Sequence, residues 1–201
     1  MNKIKQALVH QVPVPFSAIP SNPEHFTASQ KEMELEFAEN FTGLLGRFAY
    51  CFNNAELINQ LQVLFETRQW KKIYCREEAI KEELVKNGYT INYTDDLAAC
   101  DVAITGCEFL VARTGSMLLS SAQQSGRTVS VYAPVHICIA QSSQLVYDTE
   151  DAIIGLRERY GTSFPSMVSL ATGPSRTADI EKTLVVGVHG PKEVFCFLID
   201  A

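Results

Sequence analysis

The residues best suited to chemistry crowd into one stretch, TGPSRTADIEKTLVVGVHGP, from Thr172 to Pro191. An apolar strand runs into a Gly173-Pro174 turn, and Ser175, Arg176 and Thr177 then read as the start of a helix. A helix N-terminus carries unpaired backbone N–H groups and a partial positive charge, so it suits a carboxylate or phosphate. Ser175 and Thr177 would add hydroxyl donors, and Arg176 a two-pronged grip on an anion. Asp179 and Glu181 favour the helix dipole but repel an anion unless they hold Arg176 in place. The same residue types also make an ordinary capped junction, so the spacing fits either reading. His189 precedes a second turn, Gly190-Pro191, and could transfer a proton or hold a ligand near neutral pH. A lone His is more often a structural hydrogen-bonding residue.

Two further segments carry candidates. In ARTGSMLLSS, the run Thr114-Gly115-Ser116 forms a tight turn that could present N–H and hydroxyl donors. Glu108, just after the strand CDVAITG, is an acid that could face the same cleft. His136 in YAPVHICIA opens an apolar strand, where a satisfied core histidine competes with a catalyst. The catalytic candidates are therefore His136, His189, Asp179 and Glu108. No G-x-G-x-x-G, P-loop, G-x-S-x-G elbow or H-E-x-x-H occurs, which removes dinucleotide, nucleotide-motor, serine-hydrolase and zinc-protease readings as first choices. The six cysteines include no C-x-x-C pair and fit no zinc or iron–sulfur spacing, so buried free thiols are expected and no metal site is read.

The elements that must position these groups alternate in type. Residues 1–30 hold four of the eight prolines and read as an extended arm, with the domain proper from 31 to 201. A first helix is expected through QKEMELEFAENFTGLLGRF, on the stripe Met33, Phe37, Phe41 and Leu44 or Leu45, and a second from about Asn54. KKIYC reads as a strand, REEAIKEELVKNG as a helix closed by Gly88, and YTINY and CDVAITG as strands. EFLVA, SMLLSS, TVSVYA, HICIA and QLVYD make a β-rich middle. A helix over EDAIIGLRERYG, a strand SMVSLATG, a helix TADIEKTLV and a last strand EVFCFLID follow. This order predicts an α/β fold with a mainly parallel sheet, helices on both faces and one antiparallel section. In such a sheet the ligand crevice lies beyond the carboxyl ends of the strands, where the Gly173-Pro174 turn is expected.

Composition narrows the partners. A net charge of −6 without a basic cluster argues against nucleic acid and anionic membranes. No apolar window is long enough to span a bilayer, and the start lacks a signal-peptide core, so a cytoplasmic protein is expected.

Taken in order and spacing, DVAITGCEFLVARTGSMLLSS, VYAPVHICIA and TGPSRTADIEKTLVVGVHGP resemble the LUD domain family of lactate utilisation protein C (LutC/YkgG), from about residue 32 to 201. The resemblance implies a three-layer α/β/α sandwich of the NagB/RpiA/CoA-transferase-like group. It implies a part in oxidising L-lactate to pyruvate, beside iron–sulfur partner proteins that carry the clusters, with no cofactor in this chain. A small anionic ligand such as lactate or pyruvate would then meet Thr114, Gly115, Ser116, Gly173, Pro174, Ser175, Arg176, Thr177, Glu181 and Gly190, and a homo-oligomer is compatible with this picture. Arg113 stands where the family commonly has an acid, and Ser116 where it has Thr. Two other functions fit the same residues: a non-catalytic assembly module, or an independent enzyme of the cyclo-ligase or isomerase type acting on an anionic small molecule.

Overall fold

The structure, a computed structural model, describes residues 31–177 and 185–200. The arm expected over 1–30 lies outside them, as do Asp179, Glu181 and the centre of the expected last helix.

Five strands make a wholly parallel sheet: β1 (Arg47–Cys51), β2 (Ile73–Cys75), β3 (Val102–Thr105), β6 (Val135–Gln141) and β11 (Glu193–Ile199), in the order β1-β11-β6-β3-β2. β6 and β11 lie at its centre and are apolar on both faces, as strands covered on both sides must be. Along β11, Phe195, Phe197 and Ile199 join one core, while Val194, Cys196 and Leu198 join another. The first core is closed by α2 (Asn54–Arg68), with Leu57, Ile58, Leu61 and Phe65 buried, and by α3 (Glu78–Lys86). Asn53 caps α2 by accepting a hydrogen bond from the Glu56 N–H at 3.0 Å.

The second core lies between the parallel sheet and a smaller sheet, with α1 (Met33–Gly43) contributing Phe37 and Phe41. That sheet has the order β7-β4-β5-β8, from β4 (Phe109–Val111), β5 (Ser116–Ser120), β7 (Leu145–Val146) and β8 (Val168–Ala171). β5 runs antiparallel to both neighbours. Its outer face is covered by α5 (Thr149–Tyr160), which buries Ala152 and Leu156 against Val111 and Leu118. The expected mainly parallel sheet, flanking helices and antiparallel section are all present. All six cysteines are free and buried. Cys107 donates into a buried trio with Cys138 and Cys196, and that hydrogen bond together with burial pushes its thiol well above the usual range.

Four local expectations fail. The first helix stops at Gly43, and the chain re-emerges as β1, because residues 47–51 find a parallel partner in β11. TVSVYA is a strand by composition, yet residues 129–132 form a short helix, α4, which buries Val129 and Ala133 against Tyr74 and Ala103. Tertiary burial outweighs β propensity there. YTINY makes only a single bridge, Tyr93 to Ile73. In place of a helix start, Arg176–Thr177 form β9, paired antiparallel with β10 (Val185–Val186).

Candidate functional site

The Gly173-Pro174 turn follows β8, a strand of the small sheet, so the carboxyl-end expectation is overturned as well. Ser175 N–H donates to Pro191 O at 2.9 Å, and Lys192 N–H donates to Pro134 O at 2.8 Å. Those two bonds tie the motif to the residues just before β11 and β6, which is the amino edge of the parallel sheet. With Arg176 and Thr177 in the strand β9, and the Ser175 N–H given to Pro191, these residues do not form the first turn of a helix.

The three motif segments meet there, but many of their polar groups are spent on one another. Thr114 Oγ1 donates to Ser116 Oγ at 2.8 Å, and Ser116 Oγ lies 2.8 Å from Thr172 Oγ1. This hydroxyl chain joins the Thr-Gly-Ser turn to the start of the Gly-Pro turn. Both turns lean on the end of α1. Gly115 has φ +60°, and a Cβ on it would stand 2.4 Å from Phe41 N; Gly173 has φ +90°, and a Cβ would stand 2.5 Å from Leu44 O. Asn40 completes the clamp by donating to Ala112 O at 2.9 Å and Arg113 O at 3.1 Å. Gly190 is pressed against Ser175, whose Cβ would be 2.9 Å from a Cβ added to the glycine.

His136 is 1% exposed. Its Nε2 is 2.7 Å from Thr105 Oγ1, and burial pulls its pKa from 6.5 down to about 4. A neutral, enclosed imidazole of this kind is a core residue. Glu108 is 2% exposed and accepts from Ser120 Oγ at 2.5 Å and Tyr160 OH at 2.8 Å, with Arg159 Nη1 at 2.5 Å from its other oxygen. Both oxygens are occupied by the fold. Arg113, in the position of the usual acid, grips Asp148 through two 2.8 Å bonds. The guanidinium holds the Asp148 carboxyl below the usual carboxylate range, and the same Asp148 caps α5.

What the motif leaves open to solvent is a cleft of about 490 Å³, lined by Val131, Tyr132, Pro134, Gly187 to Gly190 and Lys192. His189 is exposed at this cleft. Arg176, also exposed, pairs in β9 with Val186, next to the lining Gly187. Among the described lining residues the basic groups are His189 and Lys192, with the phenol of Tyr132 beside them and no carboxylate. The structure thus brings His189, Gly190 and Arg176 to one rim; Ser116 and His136 are buried and Thr114 half-buried, none of them lining the cleft, and Glu108 is buried past the carboxyl end of β3. Sequence reasoning missed Lys192, whose signal was a cation directly after a Gly-Pro turn and before a strand. It also missed Asn40 and Asp148, whose partners lie 72 and 35 residues away and leave no local mark.

A parallel sheet backed by a small antiparallel sheet, with a clasped double Gly-Pro motif at its amino edge, defines an α/β domain of the LUD type. The LUD domain family model matches residues 36–199, and the chain belongs to that family. Among curated proteins, it is 38% identical over 102 residues to lactate utilization protein C of Bacillus subtilis, covering 50% of this chain and 42% of that one. It is 34% identical over 106 residues to an uncharacterized protein of Neisseria meningitidis, covering 53% and 45%. The chain thus spans under half the length of these curated relatives. A DUF162 family protein from Deinococcus radiodurans, solved by crystallography, superposes with a TM-score of 0.63 at 17% identity, over 86% of this chain and 99% of that one, and so shares the fold.

Proposed function

We propose that this LUD domain serves a lactate-utilisation system, contributing with iron–sulfur partner proteins to the oxidation of L-lactate to pyruvate. In this reading the cleft at the amino edge binds a small carboxylate anion. The observation that supports it is the charge of the described lining: Lys192 and His189, with Arg176 beside them and no acid among the lining residues. Lys192 would hold the carboxylate, the Gly187–Gly190 backbone would offer N–H donors, and His189 would orient the ligand or move a proton. Relatives named lactate utilization protein C supply the substrate class.

Thermal unfolding of the isolated protein with L-lactate, pyruvate and a sugar phosphate tests this. A ligand at 100 times its dissociation constant adds about 2.7 kcal/mol, and Lys192→Ala should remove most of it. Absence of any shift with all three compounds would sink the anion site.

A second reading, an assembly module, draws on a different observation. Val131, Tyr132, Val185, Val186 and Val188 are large apolar side chains left exposed around the cleft. Such a patch suits a protein partner. Loss of iron–sulfur partner capture by Val185→Asn, which lies outside the cleft lining, with anion binding unchanged, would favour assembly; the converse would favour the ligand site.

A further inference from the structure

A second depression lies at the opposite edge of the parallel sheet, where β3, β6 and β11 end at their carboxyl termini. Its volume is about 340 Å³, at the small end of the roughly 300–1,000 Å³ of ligand pockets. Open parallel sheets place ligands at this edge because the strand-to-helix turns leave a crevice there. The walls are apolar, chiefly Ile58, Ile80, Leu84 and Ile139. The polar side chains are chiefly amides and two carboxylates, Glu77 and Glu83, and the described lining residues include no Lys, Arg or His.

The two acids differ. Glu83 Oε1 accepts from Asn54 Nδ2 at 2.8 Å and Asn87 Nδ2 at 2.9 Å, with Lys86 Nζ at 3.7 Å from its other oxygen. Glu77 sits in the turn between β2 and α3 with its Oε1 buried and without a hydrogen-bond donor among the described residues. Burial raises its pKa, against the lowering effect of Ser125 and the Gly106 backbone, and the charge of Glu108 adds to the rise. A cationic group entering the cavity offsets the burial of the Glu77 carboxylate, whereas an anion meets two carboxylates and no cation among the described lining residues.

We propose that this cavity binds a small amphipathic amine, with its apolar body on Ile58, Ile80, Leu84 and Ile139 and its ammonium group at the Glu77 carboxylate. The site is separate from the amino-edge cleft and opposite to it in charge.

The test uses three probes of one shape, benzylamine, benzyl alcohol and benzoate, with ligand-observed NMR on the full protein. Benzylamine should bind, benzoate should not, and Glu77→Gln should weaken benzylamine at least tenfold while leaving the melting temperature near that of the parent. Ile80→Trp, which fills the cavity, should abolish the signal, so the proposal stays testable if Glu77→Gln fails to fold. No benzylamine signal, equal signals from all three probes, or binding undiminished in both variants would overturn it.

Discussion

A His136→Gln substitution separates a core histidine from a catalytic one. The ring is enclosed, hydrogen-bonded to Thr105, and has its pKa pulled down to about 4 from 6.5 by burial. A depressed histidine pKa means that below pH 6.5 the unfolded chain takes up a proton that the native state refuses. Its contribution to stability is therefore present above pH 6.5 and lost as pH falls towards 4. At pH 5 the unfolded ring is almost fully protonated and the folded one almost fully neutral, which amounts to about 2 kcal/mol; the full shift corresponds to roughly 3 kcal/mol. The substituted glutamine keeps a polar atom near Thr105 Oγ1 but cannot titrate. Urea unfolding at pH 7.5 and pH 5 should show the parent losing about 2 kcal/mol more than the variant between those values. The comparison cancels carboxylates such as Asp148, whose lowered pKa adds acid sensitivity to both proteins. Equal losses in parent and variant would refute the assignment of His136 to the closed core.

Gly115→Ala and Gly173→Ala should each lower stability by more than about 2 kcal/mol by denaturant titration, since each combines a left-handed φ with a Cβ within 2.4–2.5 Å of backbone. Glu108→Ala should cost about 3–5 kcal/mol, because it leaves Arg159, Tyr160 and Ser120 facing an empty space, while Glu108→Gln should cost less; calorimetry compares the two. Arg113→Ala should cost only about 1 kcal/mol, since Asp148 still caps α5; a larger loss in melting temperature would show that the pair also braces the Thr-Gly-Ser turn.

The amino-acid order by itself determined the elements whose periodicity is strong and self-contained. The stripe Leu57, Ile58, Leu61 and Phe65 dictates α2, the run EDAIIGLRERYG announces α5, and the apolar runs HICIA and VFCFLI declare the two central strands. The motif segments were legible as a family signature, and the free, buried cysteines followed from their scatter through apolar runs. Tertiary structure decided the rest, because the deciding partner was distant. Residues 47–51 are a strand only because β11 lies alongside, and residues 129–132 a helix only because β2 and β3 offer a surface to bury Val129 and Ala133. The candidate site followed the same rule. Local spacing could not say that the turn after β8 leans on α1 and lands at the amino edge of the sheet. Nor could it say that Ser116 spends its hydroxyl on Thr172, 56 residues away, while Lys192 is left facing the cleft. Which polar side chain is used up by packing and which is left for a ligand depends on contacts between segments far apart in the chain, and those exist only once it has folded.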